Sequence, residues 1–221
     1  VSANVVDATT GKPILPPYVI KKINGLSIAF IGAVLKATPS IVTPSGVAGV
    51  RFLDEADAIN AYIPELRRKN VRAIVVLIHQ GGRQNTYSGA TVPGAPAVTG
   101  DIVDIVTRLH DEVDVVVSGH WHSFSNALLN NQNGKPILVT QAFSSGTAYG
   151  DIDLEISRAS RDVVANCSAE RLYPLICRTS LINARTSRPT ASSGWFAVIV
   201  ASTGSAILKP SLPKILMPLS S

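Results

Sequence analysis

Ala73 to Ile78 is an unbroken apolar run rich in β-branched side chains, and His79 follows it at once. Such a run offers no polar face to water, so it reads as a strand buried on both faces between layers of helices. Val113 to Val117 is a second buried strand and runs out into Ser118-Gly119-His120. Strands of this kind, separated by helical periodicity, limit the chain to α/β layers.

Neighbouring segments supply the other elements. Tyr18 to Ile23 and Leu26 to Val34 flank Asn24-Gly25, which tolerates the positive φ of a type I′ turn and predicts a β-hairpin. Asp54 can cap a helix with Ala58, Ile59, Tyr62, Ile63 and Leu66 at helical spacing, kinked by Pro64 and ending near Asn70. Gly81 to Gly100 is too polar and too punctuated for a core element, so it reads as a long loop beside a strand end. A second helix starts at Thr99 or Asp101 and runs through Leu109 on a stripe of Ile102, Val103, Ile105, Val106 and Leu109. Asn130 to Gly134 marks a turn, Ile137 to Thr140 a third strand, and Asp151 to Ile156 a strand with one wet face. From Val163 to Ser221 neither periodicity lasts, and Glu170 is the only acid. A flexible tail, an appended segment and a shift of reading frame after about Val164 all fit, and the abruptness of the change favours the last two. The expected division is therefore 1–162 and an atypical, irregular 163–221.

Composition narrows the function classes. At 221 residues the chain can bury the core of one ordinary domain. Its net charge of +5 comes from scattered basic residues with few aromatics, which argues against nucleic acid as a partner. Trp195 to Val200 is far shorter than the roughly 20 apolar residues of a membrane span. Cys167 and Cys177 form no paired Cys-x-x-Cys pattern. Val1-Ser2-Ala3-Asn4 shows neither an initiator Met nor a signal-peptide layout, so residues upstream are expected.

The chemistry gathers on histidine. His79 and the His120-x-His122 pair lie at successive strand ends, the edge where open α/β sheets place ligands. Imidazole is a good ligand for zinc, manganese, iron or nickel. Gly119 is expected to permit the sharp exit toward His120, and Gly81 and Gly82 to do the same after His79. His110, beside Asp111 and Glu112 at a helix end, reads as a solvent-facing polar residue. Asn126, Asn130, Asn131 and Asn133 read as turn residues rather than phosphate ligands. Trp121 can wall the site or pack, whereas Phe143 and Tyr149 read as core.

Three ordered blocks, Leu77-Ile78-His79-Gln80-Gly81-Gly82, Ser118-Gly119-His120-Trp121-His122-Ser123 and Gln141 through Leu154, resemble the bacterial 5′-nucleotidase branch of the calcineurin-like metallophosphoesterases. The resemblance covers roughly Val1 to Val164. It implies the second half of a four-layer α/β/β/α sandwich and two divalent metal ions, of zinc, manganese, iron, calcium or a similar element. Residues matching His79 and His120 serve one ion, and the residue matching His122 serves the other. The family's Asp-x-His, Gly-Asp-x-x-Asp and Gly-Asn-His motifs should precede His79 and do not. Gly100-Asp101-Ile102-Val103-Asp104 spells the second motif but lies after His79 and reads as a helix start.

At most partial metal occupancy is therefore expected, and no catalytic residue is identified. The expected function is phosphate-ester hydrolysis of the 5′-nucleotidase type, weak or absent in this chain alone. The competing expectation is a non-catalytic module that binds metal, the missing half or a second copy through exposed sheet surface. The resemblance implies a periplasmic, secreted or cell-surface location, although the chain carries no export signal.

Overall fold

The computed structural model of the chain describes residues 1–85, 91–93, 98–145, 148–164, 168–174, 193–201 and 206–210. Its strands are β1 (Val5–Asp7), β2 (Tyr18–Ile23), β3 (Leu26–Val34), β4 (Val50–Phe52), β5 (Ala73–His79), β6 (Arg83–Gln84), β7 (Val92–Pro93), β8 (Val98–Thr99), β9 (Val115–Val117), β10 (Phe124–Asn130), β11 (Pro136–Ala142), β12 (Ala148–Ser157), β13 (Ser168–Pro174), β14 (Ser193–Ala201) and β15 (Ala206–Pro210). The α-helices are α1 (Glu55–Asn60), α2 (Ile63–Arg68) and α3 (Asp101–Arg108).

Asn24 and Gly25 take φ of 50° and 82°, and the strands they join pair antiparallel as expected. This hairpin starts a seven-stranded sheet in the order β2-β3-β5-β9-β11-β10-β7. From β3 through β5 and β9 to β11 all pairings are parallel. One face of the sheet carries Ile74, Val76 and Ile78, buried against Ile59, Ile63 and Leu66 of α1 and α2 and Ile102 and Val106 of α3. The other face carries Ile28, Val75, Val115 and Leu138, packed against Ile152, Leu154 and Ile156 of β12. Each fully buried aliphatic side chain contributes about 1.5–3 kcal/mol. The buried run of β5 therefore lies between helices and a second sheet, not between two helical layers as its residues suggested. Alternation along one strand sends odd and even positions to different layers, and a run apolar on both faces cannot report which layer each meets.

The second sheet has the order β13-β12-β14-β15, so described parts of the segment beyond Val163 add three strands to β12. The remainder of that segment, including Cys167 and Cys177, lies outside the described residues. The layers among the described residues are helices, sheet and sheet, in the α/β arrangement expected.

Local details refine the sequence reading. The single kinked helix is two helices, with Pro64 in the first turn of α2, where its missing N–H interrupts no helical bond. The Asp57 N–H donates to Asp54 Oδ1 at 3.2 Å, so Asp54 caps α1 as expected. The Arg108 guanidinium, at 2.8 and 3.1 Å from the two Asp54 oxygens, ties the end of α3 to that cap and holds the carboxyl below its ordinary range. α3 begins at Asp101, one of the two expected starts, with Gly100 as its cap at φ 105°. β10 was hidden because Ser125 and Asn126 are buried inside it; the Asn126 N–H donates to Gln84 Oε1 at 2.7 Å.

Asp114 is buried at the start of the β9 segment. Its carboxylate accepts from the Ile74 N–H at 3.0 Å and from Lys135 Nζ at 3.2 Å. Burial outweighs both and pushes its pKa from 3.8 to about 7. Between those two values the folded chain holds a proton that the unfolded chain has released, so stability falls as pH rises through the window. Urea unfolding at about pH 4.5 and about pH 7.5 should show a loss of stability in the parent that is absent or much smaller in Asp114→Asn.

Candidate functional site

His79 closes β5, and the parallel register of Leu77 with Val117 sets the end of β9 beside it. Beyond β9 the Ser118 N–H donates to Thr140 O at 2.8 Å and the Gly119 N–H to Gln80 O at 3.3 Å. These bonds hold the turn that presents His120 and His122. The rings of His79 and His120 meet edge to face, with centroids 5.3 Å apart and an interplanar angle of 69°. Both, with His122, line one cavity of about 420 Å³ that is also walled by Thr140, Gln141 and Phe143. The structure therefore brings all three sequence-predicted imidazoles to one place.

The backbone reaches this arrangement differently from the sequence expectation. Gly119 does not take a positive φ; His120 and His122 do, at 70° and 51°. Phe143 and Ser145, on the opposite wall, also sit at positive φ, 47° and 58°. Such conformations cost on the order of 1–3 kcal/mol each for residues with a Cβ and persist only where surrounding contacts impose them. Gly81 and Gly82 serve close approach instead of a sharp exit. A Cβ on Gly81 would overlap Gln141 Oε1 and the Gly119 carbonyl, and one on Gly82 would overlap the Thr99 carbonyl.

Partial burial pushes the His79 pKa below its ordinary value, and the neighbouring His120 and His122 push it the same way. At neutral pH its ring therefore keeps a free lone pair, the form that binds metal. Among the described residues no carboxylate lines the cavity. Among the described residues no group of three or more His, Cys, Asp and Glu stands ready to enclose an ion. The neutral His79 ring and the adjoining His120 ring are nitrogen donors of the kind that zinc takes, four to a closed site. They do not by themselves make a two-ion centre.

Other candidates fall away from the cavity. His110 Nδ1 accepts from the Glu112 N–H at 3.1 Å, at a turn. Asn131 and Asn133 donate to Asp111 Oδ1 at 2.7 and 3.0 Å, which makes them turn residues as expected. Asp101 opens α3 and accepts from Gln80 Nε2 at 3.1 Å. Trp121 is 39% exposed beside Gly100 and does not line the cavity.

Phe143 overturns its core reading: it is 40% exposed, lines the cavity and rests on Phe124 with ring centroids 6.1 Å apart. Its positive φ at the end of β11 turns it outward, which no local pattern announces. Gln141 was likewise not singled out as a site residue; its only signal was a polar side chain inside an apolar strand.

The packing at Gly81 yields a direct test. Gly81→Ala should lose about 1–3 kcal/mol in urea unfolding, the usual cost of forcing atoms into a filled site. Gly46→Ala, where nothing lies within 4 Å of the added carbon, should stay within about 0.5 kcal/mol of the parent.

No family profile matches the chain. Endonuclease YhcR of Bacillus subtilis is 36% identical over 78% of this chain and 13% of its own length. Cell wall protein Lmo0130 of Listeria monocytogenes is 33% identical over 78% of this chain and 22% of its own. A 5′-nucleotidase of Vibrio cholerae is 27% identical over 87% of this chain and 36% of its own. The chain thus spans between 13% and 36% of the length of these relatives. The crystal structure of calcineurin-like phosphoesterase YfkN of Bacillus subtilis superposes with a TM-score of 0.61 and 24% identity, over 79% of this chain and 55% of that one, a likeness of fold. The chain is thus similar in sequence to 5′-nucleotidases and in fold to a calcineurin-like phosphoesterase, in keeping with the resemblance carried by its three motif blocks.

Proposed function

We propose that these residues form the second half of a metal-dependent phosphoric ester hydrolase of the 5′-nucleotidase type. His79 and His120 hold one divalent ion, His122 reaches toward a second, and the remaining ligands come from outside this stretch. The observation that carries the reading is the edge-to-face contact of His79 and His120 in a cavity that His122 also lines. When bound, a divalent ion lowers the pKa of a water and neutralises charge on a phosphate. This chain's own residues hold and orient: His79 offers a neutral ring, and the strand ends keep the rings together.

The substrate is a nucleotide or a related phosphate ester. A nucleic acid is not the intended partner, because the basic residues form no stacked track. The protein works outside the cytoplasm, a reading supported by its cell-wall relative. Among the described residues the cavity lining holds no carboxylate, which favours a second reading, in which the stretch binds metal, the missing half or another copy of itself without catalysis.

Zinc and manganese titrations of the 221-residue chain should weaken about tenfold or more in His79→Ala and in His120→Ala. Unchanged affinity in both variants overturns the metal assignment. Turnover of a nucleoside monophosphate by this chain alone should be negligible, and a rate rivalling an intact relative would overturn the half-site reading. Cleavage of a short oligonucleotide would replace the nucleotide with a nucleic-acid substrate.

A further inference from the structure

Gln141 is 2% exposed and stands on β11, next to the strand that delivers His120 and His122. Its amide nitrogen donates to Gly82 O at 3.1 Å, Ser123 O at 2.9 Å and Ser123 Oγ at 2.8 Å. Ser123 Oγ in turn donates to Gly82 O at 2.6 Å, and Ser123 O accepts the Phe143 N–H at 2.9 Å. Gly82 follows His79 by three residues, and Ser123 follows His122 by one. One buried amide on β11 thus ties together the two loops that leave β5 and β9.

The opposite end of the same side chain explains its fit. Gln141 Oε1 is buried with no hydrogen-bond partner and lies where a Cβ on Gly81 would stand. An unpaired buried acceptor costs about 1–3 kcal/mol, so the three donor contacts of the nitrogen must repay it. Only a primary amide meets this pattern. A carboxylate of the same shape would face three oxygen atoms, and an apolar side chain would leave the Gly82 and Ser123 carbonyls with one donor fewer each and break the link to β11.

We infer that Gln141, through Ser123 and Gly82, is a positioning residue that sets the separation of His79 from His120 and His122. It acts on the loops and touches neither ion nor substrate. The inference about ring separation rests on the geometry alone, and its consequence for metal rests on the function proposed above. The clip also accounts for the tolerated strain: the positive φ of His120, His122 and Phe143 lies in the segments it pins.

The test compares the 221-residue chain with Gln141→Glu, an isosteric reversal of polarity, and with Ser123→Ala, a milder change that leaves the Gln141 bonds to two carbonyls. Two readouts are needed: proton NMR cross-peaks between the His79 and His120 rings without metal, and titration with zinc alone. Thermal unfolding selects conditions in which each variant is folded. Gln141→Glu should lose the ring-to-ring cross-peak and bind zinc about tenfold or more weakly. Ser123→Ala should show a smaller change in the same direction. Intact ring contact in both folded variants overturns the inference, whatever the metal does. Parent-like zinc affinity in Gln141→Glu, with weakened binding in His79→Ala, also overturns it and leaves the proposed function standing. Parent-like affinity in the histidine variants sinks the metal reading instead, and the ring contact then decides the role of Gln141 by itself. Should Gln141→Glu fail to fold, the ring contact and zinc affinity of Ser123→Ala decide: values equal to the parent's overturn the inference.

Discussion

Parallel pairing of β5 with β9, Val75 opposite Val115 and Leu77 opposite Val117, determines where both strands stop. Each strand is apolar on both faces, so neither can slip by one residue without exchanging a helical neighbour for a sheet neighbour. The cavity inherits that constraint. His79 ends one strand, and the turn carrying His120 and His122 ends the next, so two well-packed core strands place side chains that do no packing themselves.

Burial on two sides also divides the work of the core. The helical layer of Ile59, Ile63, Leu66, Ile102 and Val106 covers one face and leaves the C-terminal edge open. Ile152, Leu154 and Ile156 cover the other face and bring β12 against the sheet. Gly81 and Gly82 are required where loops from these layers meet, because carbonyl and amide oxygens already fill the space a Cβ would take. Specificity for glycine there is steric, whereas at Gly100 it is conformational, with φ at 105°.

At the edge itself, the rings of His79 and His120 are held in contact, and burial first, then the neighbouring His120 and His122, lower the His79 pKa. A neutral His79 ring keeps a lone pair that a cation can take. The strained backbone of His120 and His122 is a cost borne at the same place. Both are supported by hydrogen bonds to elements outside the histidine loops, from the Ser118 N–H to Thr140 O and between the Gln141 amide and the Gly82 and Ser123 carbonyls.

The amino-acid order alone determined the hairpin at Asn24-Gly25, the buried strands of β5 and β9, the helix capped by Asp54, and the three imidazoles at the strand ends. Turn chemistry, capping and apolar periodicity act over a few residues, so they can be read in a few residues. Three things were settled only by tertiary contact: β10 with its buried Ser125 and Asn126, the outward turn of Phe143, and the sheet on the far side of β5. The tie from Gln141 to Gly82 joins positions 59 apart in the chain. A contact of that range leaves no local periodicity, because a lone buried amide becomes favourable only when the folded sheet brings its acceptors within reach.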